Sequence, residues 1–164
     1  MTNELIIRSA KPNDEDQIWN IISRVIKSGD TYAFDPDSSR EEMMAYWMKK
    51  AKYTYVAEYK NEVAGTFFIT DNQPGLGSHV ANAGYMIHPG CRGIGLGRKL
   101  GQFSIKEAQR LGYAALQFNF VVKSNTIALN LWKSLGFQIV GEIPNAYRHQ
   151  QLGLTNVYIL HREL

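Results

Sequence analysis

The chain has 164 residues, of which 45% are hydrophobic and 20% charged, and its formal net charge is +3. This length and composition predict one domain with a hydrophobic core over residues 1–164. No apolar run reaches the roughly 18 residues of a transmembrane helix, and the N-terminus lacks the pattern of a secretory signal, so no membrane association is expected. Cys91 is the only cysteine, which excludes an internal disulfide and favours a cytoplasmic location.

Metal and nucleic-acid chemistry are not favoured by the residue pattern. The four histidines show no paired ligand spacing, so no metal site is predicted. The sequence pI of about 8.9 is mildly basic, but no long basic stripe alternates with aromatic residues, so no nucleic-acid partner is expected. A modest positive charge suits a small molecule that carries phosphates.

The first half of the chain predicts a strand, two helices and a β-hairpin. Apolar residues at helical spacing define a first helix that ends near Gly29. Ser38 with Glu41, or Ser39 with Glu42, forms a capping box ahead of the second helix. The predicted elements are a strand at 4–9, helices from Pro12 to 28 and from 39 to about 50, and strands at 53–59 and 63–70.

Glycine and proline divide the second half, which predicts four strands and two helices. The elements are strands at 79–88, 114–122, 137–142 and 154–161, helices from the 93–97 segment to about 111 and from Ser124 or Asn125 to 135, and loops at 71–78 and 145–153. The resulting order, β-α-α-β-β-β-α-β-α-β-β, indicates an α/β (α+β) fold. Its sheet should be mixed and mostly antiparallel, with six or seven strands and helices on both faces.

A glycine-rich segment, Arg92-Gly93-Ile94-Gly95-Leu96-Gly97-Arg98, joins a strand to a helix. Glycines let the backbone approach a ligand, and the free N–H groups at a helix start attract phosphate oxygens. The two arginines add charge-assisted donors. The segment is therefore predicted to hold a pyrophosphate.

Two common phosphate motifs do not match this segment. The P-loop pattern, counted from Gly90, puts Leu96 where its lysine should stand. The dinucleotide pattern Gly-x-Gly-x-x-Gly puts Arg98 or Leu100 in place of its last glycine. The ligand is therefore predicted to be something other than the nucleotides that those motifs bind.

Two blocks of sequence together resemble the GNAT superfamily of N-acetyltransferases, from about residue 5 to the end. Arg92, Gly95 and Gly97 meet its pattern Gln/Arg-x-x-Gly-x-Gly/Ala, and residues 125–137 carry a second block, Asn-x-x-Ala-x-x-Leu-Trp-x-x-x-Gly-Phe. The resemblance implies a GNAT fold and an enzyme that transfers acetyl from acetyl-CoA to an amine by direct attack. It also allows a homodimer, since family members often dimerise.

The same resemblance implies which residues bind acetyl-CoA. The pyrophosphate would lie on the backbone of 92–98, and the pantetheine would pair like a strand with β-strand residues, its thioester near Ile87 and a backbone N–H there stabilising the oxyanion. The implied cofactor-binding residues are Tyr85, Met86, Ile87, Arg92, Gly93, Ile94, Gly95, Leu96, Gly97, Arg98 and Asn125.

Three further segments, 82–84, 118–125 and 141–144, resemble the fungal azetidine-2-carboxylate acetyltransferase subfamily. That resemblance implies that Asn82, Asn119 and Asn125 bind substrate and the reacting groups, and that the acceptor is a small amino or imino acid. Other readings stay open: Asn119 at a strand end would bond backbone, and Asn125 would only cap its helix.

The chain departs from the family at Trp132, where many members carry the tyrosine that protonates the leaving thiolate. Indole cannot act as an acid near neutral pH, so the thiolate would leave unassisted or accept a hydrogen bond from an amide or water. No general base stands out among Glu58, His79, His88 and Glu142.

Aromatic residues in and beside the loop between the first two helices have two readings. Tyr32 and Phe34 line the acceptor pocket or only pack, whereas Trp19, Tyr46 and Trp47 are predicted to pack. Two other functions remain as alternatives to a small-molecule acetyltransferase: acetylation of a peptide or protein N-terminus, and a non-catalytic acyl-CoA-binding module.

Overall fold

A computed structural model describes residues 4–164. The helices and strands in this range follow the predicted order. They are β1 Leu5–Ser9, α1 Glu15–Ser28, α2 Arg40–Trp47, β2 Tyr53–Tyr59, β3 Glu62–Asp71, β4 Val80–Ile87, α3 Leu96–Arg110, β5 Ala115–Val122, α4 Thr126–Ser134, β6 Gln138–His149 and β7 Gly153–Glu163. None of the helices in the described range has the length and hydropathy needed to cross a bilayer.

The strands form one seven-stranded sheet in the order β1-β2-β3-β4-β5-β7-β6. Only β4 and β5 are parallel, because α3 connects them as a crossover. The other pairs are antiparallel. The predicted fold class, a mixed and mostly antiparallel sheet with helices on both faces, is confirmed.

Each face of the sheet carries its own core. On one face, α1 and α2 bury their apolar sides against β3 and β4, with Trp47 fully buried and its Nε1 donating to Thr66 Oγ1 over 3.0 Å. On the other face, α3 and α4 cover a second cluster that includes Leu100 and Trp132. We call these the α1/α2 face and the α3/α4 face.

The second helix begins and ends on local hydrogen bonds. Of the two predicted capping boxes, the structure forms the one between Ser39 and Glu42, whose backbone N–H donates to Ser39 Oγ over 3.1 Å. The helix ends at Trp47 and not near Lys50, because Thr54 Oγ1 donates to the Trp47 carbonyl over 2.8 Å and satisfies it at the helix end.

The predicted loop at 145–153 is wrong. Strand β6 continues to His149, and only residues 150–152 turn before β7. Pro144 and Asn145, whose φ is 50°, form a bulge inside β6, where the register moves from Ile143 opposite Val157 to Tyr147 opposite Thr155. Turn-forming residues at a bulge look like a loop in sequence, although the ladder resumes beyond them.

Candidate active site

A gap opens between the two parallel strands at the centre of the sheet. Strands β4 and β5 pair only where Val80 faces Ala115 and Ala81 faces Leu116. Beyond these residues both strands continue, β4 to Ile87 and β5 to Val122, without pairing to each other. The gap therefore has two backbone edges whose peptide groups do not pair with a facing strand.

Alternation along β4 decides which peptide groups face the gap. His88 N–H donates to the Ala64 carbonyl on β3 over 2.8 Å, so the peptide groups of Met86, two residues earlier, also point to β3. Those of Tyr85 and Ile87 point into the gap. Met86 is 2% exposed and packs on the α1/α2 face, which leaves it the least accessible of the three predicted β4 contacts.

The Tyr32 hydroxyl occupies the gap edge at Tyr85. It accepts a hydrogen bond from Tyr85 N–H over 2.8 Å and donates a short one to the Tyr85 carbonyl. Burial raises the pKa of the Tyr32 phenol, which keeps it protonated near neutral pH. Tyr32 therefore reaches the backbone edge of the gap and is more than a packing residue.

Aromatic rings line the gap on the α3/α4 face. The Trp132 ring lies 4.8 Å from Tyr85 and 4.6 Å from Phe118, centroid to centroid, and Phe137 stacks on Phe118 at 4.5 Å. Tyr85 Oη shares a hydrogen bond of 2.6 Å with Ser104 Oγ, and burial raises the pKa of this phenol. Trp132 is 7% exposed, so it serves mainly as a wall of this cluster.

The glycine-rich segment begins beyond the C-terminal end of β4 and leads into α3. Gly93 and Gly95 have φ of 80° and 78°, and a Cβ at either residue would meet nothing within 4 Å. Glycine is required there by backbone conformation, and the space beside it is open. Gly97 differs, since its Cβ would lie 3.3 Å from Leu131 Cδ2 and 3.4 Å from Ile87 Cδ1. It allows α3 to approach the gap closely.

The donors of this segment are its backbone amides and one arginine. Within residues 4–164, no loop or side-chain hydrogen bond uses the N–H groups of 93–98. Arg92 and Ile94 are exposed, whereas the Leu96 side chain is buried in the α3/α4 core. Arg98 Nη2 donates to Ser134 Oγ over 2.8 Å, so its guanidinium is turned toward α4.

Two of the three predicted asparagines lie on the α1/α2 face of the gap. Asn82 Oδ1 accepts from Ala83 N–H over 2.8 Å. Asn119 on β5 accepts from Gln117 Nε2 over 3.0 Å, and its Nδ2 donates to Asn72 Oδ1 over 2.5 Å. Asn82 directly follows the last paired residue of β4, and Asn119 lies three residues beyond Leu116, the last paired residue of β5, so both stand where the strands have separated.

Asn125 is separate from this cluster in its contacts. Its side chain caps α4 by accepting from Ala128 N–H over 3.3 Å, as the helix-cap reading expects. No hydrogen bond in the described chain joins it to Asn82 or Asn119. The structure therefore brings two of the predicted asparagines to one side of the gap and leaves the third at the start of α4.

Among the predicted proton acceptors, three are already engaged. Glu58 is paired with Arg8 at 3.1 Å and Glu142 with Lys123 at 2.7 Å. His88 Nδ1 accepts from Gly90 N–H over 2.9 Å, which is the role of a strand-end cap. In residues 4–164, no group of three or more His, Cys, Asp or Glu side chains is arranged to hold a metal ion.

The cover of the gap on the α1/α2 face includes residues that the sequence reading missed. Tyr147 Oη, from the strand extension that was predicted as loop, donates to the Tyr32 carbonyl over 3.2 Å. Its ring lies 6.1 Å from Phe120 on β5, and Phe34 stacks on Tyr32 at 5.8 Å. Tyr147 was missed because its strand was not predicted. Asn72 and Gln117 carried no motif: Asn72 lies in the predicted loop at 71–78, and Gln117 lies within the predicted strand at 114–122.

Comparison with known proteins supplies independent evidence. The model of the acetyltransferase (GNAT) family matches residues 19–137. The chain is 29% identical over 157 residues to N-acetyltransferase aca1 of Schizosaccharomyces pombe, covering 84% of this chain and 74% of that protein.

Two solved structures are also similar. A GCN5-related N-acetyltransferase from Kribbella flavida is 38% identical, with a TM-score of 0.93 and 98% of both chains covered. A putative phosphinothricin N-acetyltransferase is 26% identical, with a TM-score of 0.88, covering 98% of this chain and 99% of that one.

Proposed function

The chain belongs to the GNAT family of acetyltransferases, with acetyl-CoA as co-substrate, and from that premise we propose that it acetylates the amine of a small amino or imino acid. The observation that carries the acceptor class is the cover of the gap on the α1/α2 face. There Tyr32 bonds the Tyr85 backbone and Tyr147 bonds Tyr32. This cover supports a small acceptor over a peptide, which needs an open groove.

The proposed co-substrate site runs from the glycine-rich segment along the edge of β4. The free amides of 93–98, together with Arg92, suit the pyrophosphate, and the open space beside Gly93 and Gly95 admits it. The peptide groups of Ile87 suit the pantetheine, whose amides would pair with them as a strand does, and those of Tyr85 would join them once the Tyr32 hydroxyl leaves that edge. The N–H of either residue can donate to the thioester carbonyl oxygen. The Leu96 side chain is buried, so only its backbone would contribute. Met86 has a buried side chain and peptide groups that face β3, so it would only position its neighbours Tyr85 and Ile87.

The proposed acceptor site lies on the α1/α2 face, beside the amides of Asn82 and Asn119. Amide N–H groups suit the carboxylate of an amino or imino acid, and the likeness to azetidine-2-carboxylate acetyltransferases supports that class. In the proposed reaction the neutral amine attacks the thioester carbonyl, the C–N bond forms, and the C–S bond breaks. Asn125, as the cap of α4, would contribute through the position of that helix.

Protonation of the thiolate is assigned to no side chain. Trp132 is not an acid, and its ring is packed among Tyr85, Phe118 and Phe137. A thiol has a pKa near 8.5, so the thiolate can leave without a proton donor. The proton of the amine would leave through water, since Glu58, Glu142 and His88 are engaged elsewhere. The fourth candidate, His79, precedes β4 and so lies at the end of that strand opposite to Ile87.

The test is a panel of acceptors with acetyl-CoA, in which thiol release is followed. Turnover of free amino acids or cyclic imino acids, without turnover of peptides, is the expected result. Turnover of peptides alone would favour the alternative, a peptide or protein N-terminal acetyltransferase. Binding of acetyl-CoA without turnover of any amine would favour an acyl-CoA-binding module. The Asn119→Ala and Asn82→Ala variants should raise KM for the acceptor and leave acetyl-CoA binding unchanged.

The proposal also includes the domain organisation, the cellular location and the oligomeric state of the protein. A single domain over 1–164 is supported by one sheet that runs through the described residues. A cytoplasmic location is supported by the single cysteine. A homodimer is testable by sedimentation, in which a mass near twice 18.6 kDa is expected.

A further inference from the structure

Lys52 holds an ammonium group without an acceptor on the α1/α2 face. Its Nζ is shielded from solvent and has no hydrogen-bond partner. It lies 3.1 Å from the centroid of the Tyr46 ring and 4.1 Å from that of Phe68. Rings stabilise a cation through their faces but accept none of its three N–H bonds well. The ammonium therefore has free donors in an apolar setting.

The register of the sheet puts Lys52 in one row with the amides of the gap. Tyr53, the first residue of β2, pairs with Ile69, and Lys52 precedes it in the turn that enters the strand, at the end of β2 that faces Thr70. Thr70 pairs with Asn82, and Asn82 follows the last residue of β4 that pairs with β5, which leaves it beside Gln117. Since neighbours across a sheet point to the same face, the row carries its polar side chains to the α1/α2 face.

The position of Phe68 shows that the ammonium is directed toward β4. A Cβ on Gly84 would lie 2.8 Å from Phe68 Cε1, so the Phe68 ring extends over β4 at the one position that lacks a side chain. Lys52 Nζ rests on that ring. The Lys52 side chain therefore extends from the start of β2 toward the gap. Gly84 leaves room for the Phe68 ring on which the ammonium rests.

Lys52 keeps its positive charge near neutral pH. Burial, with a smaller contribution from Lys49, lowers the pKa of Lys52 to about 8, so the group is still mostly protonated near pH 7. The Lys52 stem borders a surface cavity of about 290 Å³ that is also lined by Ser9 and Thr54, but its Nζ is closed off from solvent. Of the two rings that contact Nζ, Tyr46 is 42% exposed and Phe68 is 3% exposed, so the Tyr46 side is the one nearer to solvent.

We propose that Lys52 binds the carboxylate of the acceptor, with Tyr46 as a movable cover, and so selects amino or imino acids over simple amines. The proposal rests on the proposed function and specifies its acceptor. The carboxylate would accept from Lys52 Nζ on one side and from the Asn82 amide on the other. The amine next to it would then face the Tyr85 edge of the gap.

The test compares a matched pair of acceptors, L-proline and L-prolinamide, which differ in the carboxylate alone. The Lys52→Met variant, which keeps the packing on the rings, should raise KM for proline about ten- to hundredfold, as expected for loss of a charge-assisted hydrogen bond. Its KM for prolinamide and its kcat should not change. Lys52→Arg should recover part of the proline KM. Lys50→Met, which removes an exposed lysine two residues away, is the control and should behave as wild type.

Equal effects of Lys52→Met on both acceptors would overturn the proposal. The pH dependence of kcat gives a second check. If a group with a pKa near 8 shapes kcat for both acceptors in the wild type and is absent from Lys52→Met, Lys52 acts as a base and the proposal is overturned. If the wild type acetylates neither compound, the proposed acceptor class fails, and NMR of ¹³Cε-labelled lysine decides the role of Lys52. A shift of the Lys52 signal with N-acetyl-L-proline but not with N-acetyl-L-prolinamide would retain carboxylate binding, and no shift would refute it.

Discussion

Gly95 offers a direct test of the glycine-rich segment, because its backbone conformation can be perturbed without a steric clash. Its φ is 78°, and an added Cβ would meet nothing within 4 Å. The Gly95→Ala variant therefore introduces backbone strain alone. An L-residue in the left-handed region costs about 1–2 kcal/mol, which corresponds to about a 5- to 30-fold change in an equilibrium constant.

That strain should appear in both stability and binding. Gly95 is the N-cap of α3, so relief of the strain would tilt the amides that are proposed to hold the pyrophosphate. We expect Kd for acetyl-CoA to rise about 5- to 30-fold in isothermal titration. The free energy of unfolding in urea should fall by about 1–2 kcal/mol at most.

Gly112 supplies the matched control. It has φ of 90°, and an added Cβ there also meets nothing within 4 Å, but it lies after the C-terminal end of α3, away from the proposed site. Gly112→Ala should lose similar stability and bind acetyl-CoA as wild type does. Normal binding by Gly95→Ala, or an equal loss of binding by Gly112→Ala, would show that the backbone conformation of Gly95 does not shape the acetyl-CoA site.

Three further outcomes are expected from other parts of the fold. Tyr32→Phe removes the hydroxyl that bonds the Tyr85 peptide, so acetyl-CoA, which is proposed to use that edge, should bind about two- to tenfold more tightly in titration; weaker binding would show that Tyr32 assists it. Thr66→Val leaves the buried Trp47 Nε1 without its acceptor and should lower the free energy of unfolding by about 1–3 kcal/mol in urea, whereas an unchanged value would contradict this bond. The pKa of Lys52 is about 8 when folded against 10.5 for a free lysine, so the unfolded chain binds more protons between those pH values and stability should rise with pH there. Urea unfolding of Lys52→Met should lack this rise, and identical pH profiles would exclude the buried ammonium.

The order of elements and the glycine-rich segment could be read from the sequence because both depend on local rules. The five isoleucine and valine positions of α1 are all buried, as helical spacing predicts. Gly93 and Gly95 have positive φ, the conformation for which glycine is the preferred residue type. In each case neighbouring residues in the chain carry the whole signal.

Sequence patterns gave a wrong element, or left the role of a residue undecided, where strands distant in sequence meet. The loop predicted at 145–153 is a bulged strand, because Pro144 and Asn145 resemble turn residues whether or not a ladder continues past them. The sequence left Asn125 with two readings, substrate contact or helix cap, and the structure forms the cap. Asn82 and Asn119 lie on the β4 and β5 edges beyond the point where these strands separate.

The sequence by itself determined most of the local elements and, through its glycine spacing, a glycine-rich turn at the start of α3, which is proposed to bind phosphate. Only the tertiary structure decided that β4 and β5 separate after two pairs, that Tyr32 closes the Tyr85 edge, and that Lys52 rests on the Phe68 ring. The physical reason is the separation in sequence between the residues that interact. Helix periodicity, capping and positive φ are set within a few residues, whereas strand register brings together groups tens of residues apart and leaves no periodic trace in the chain.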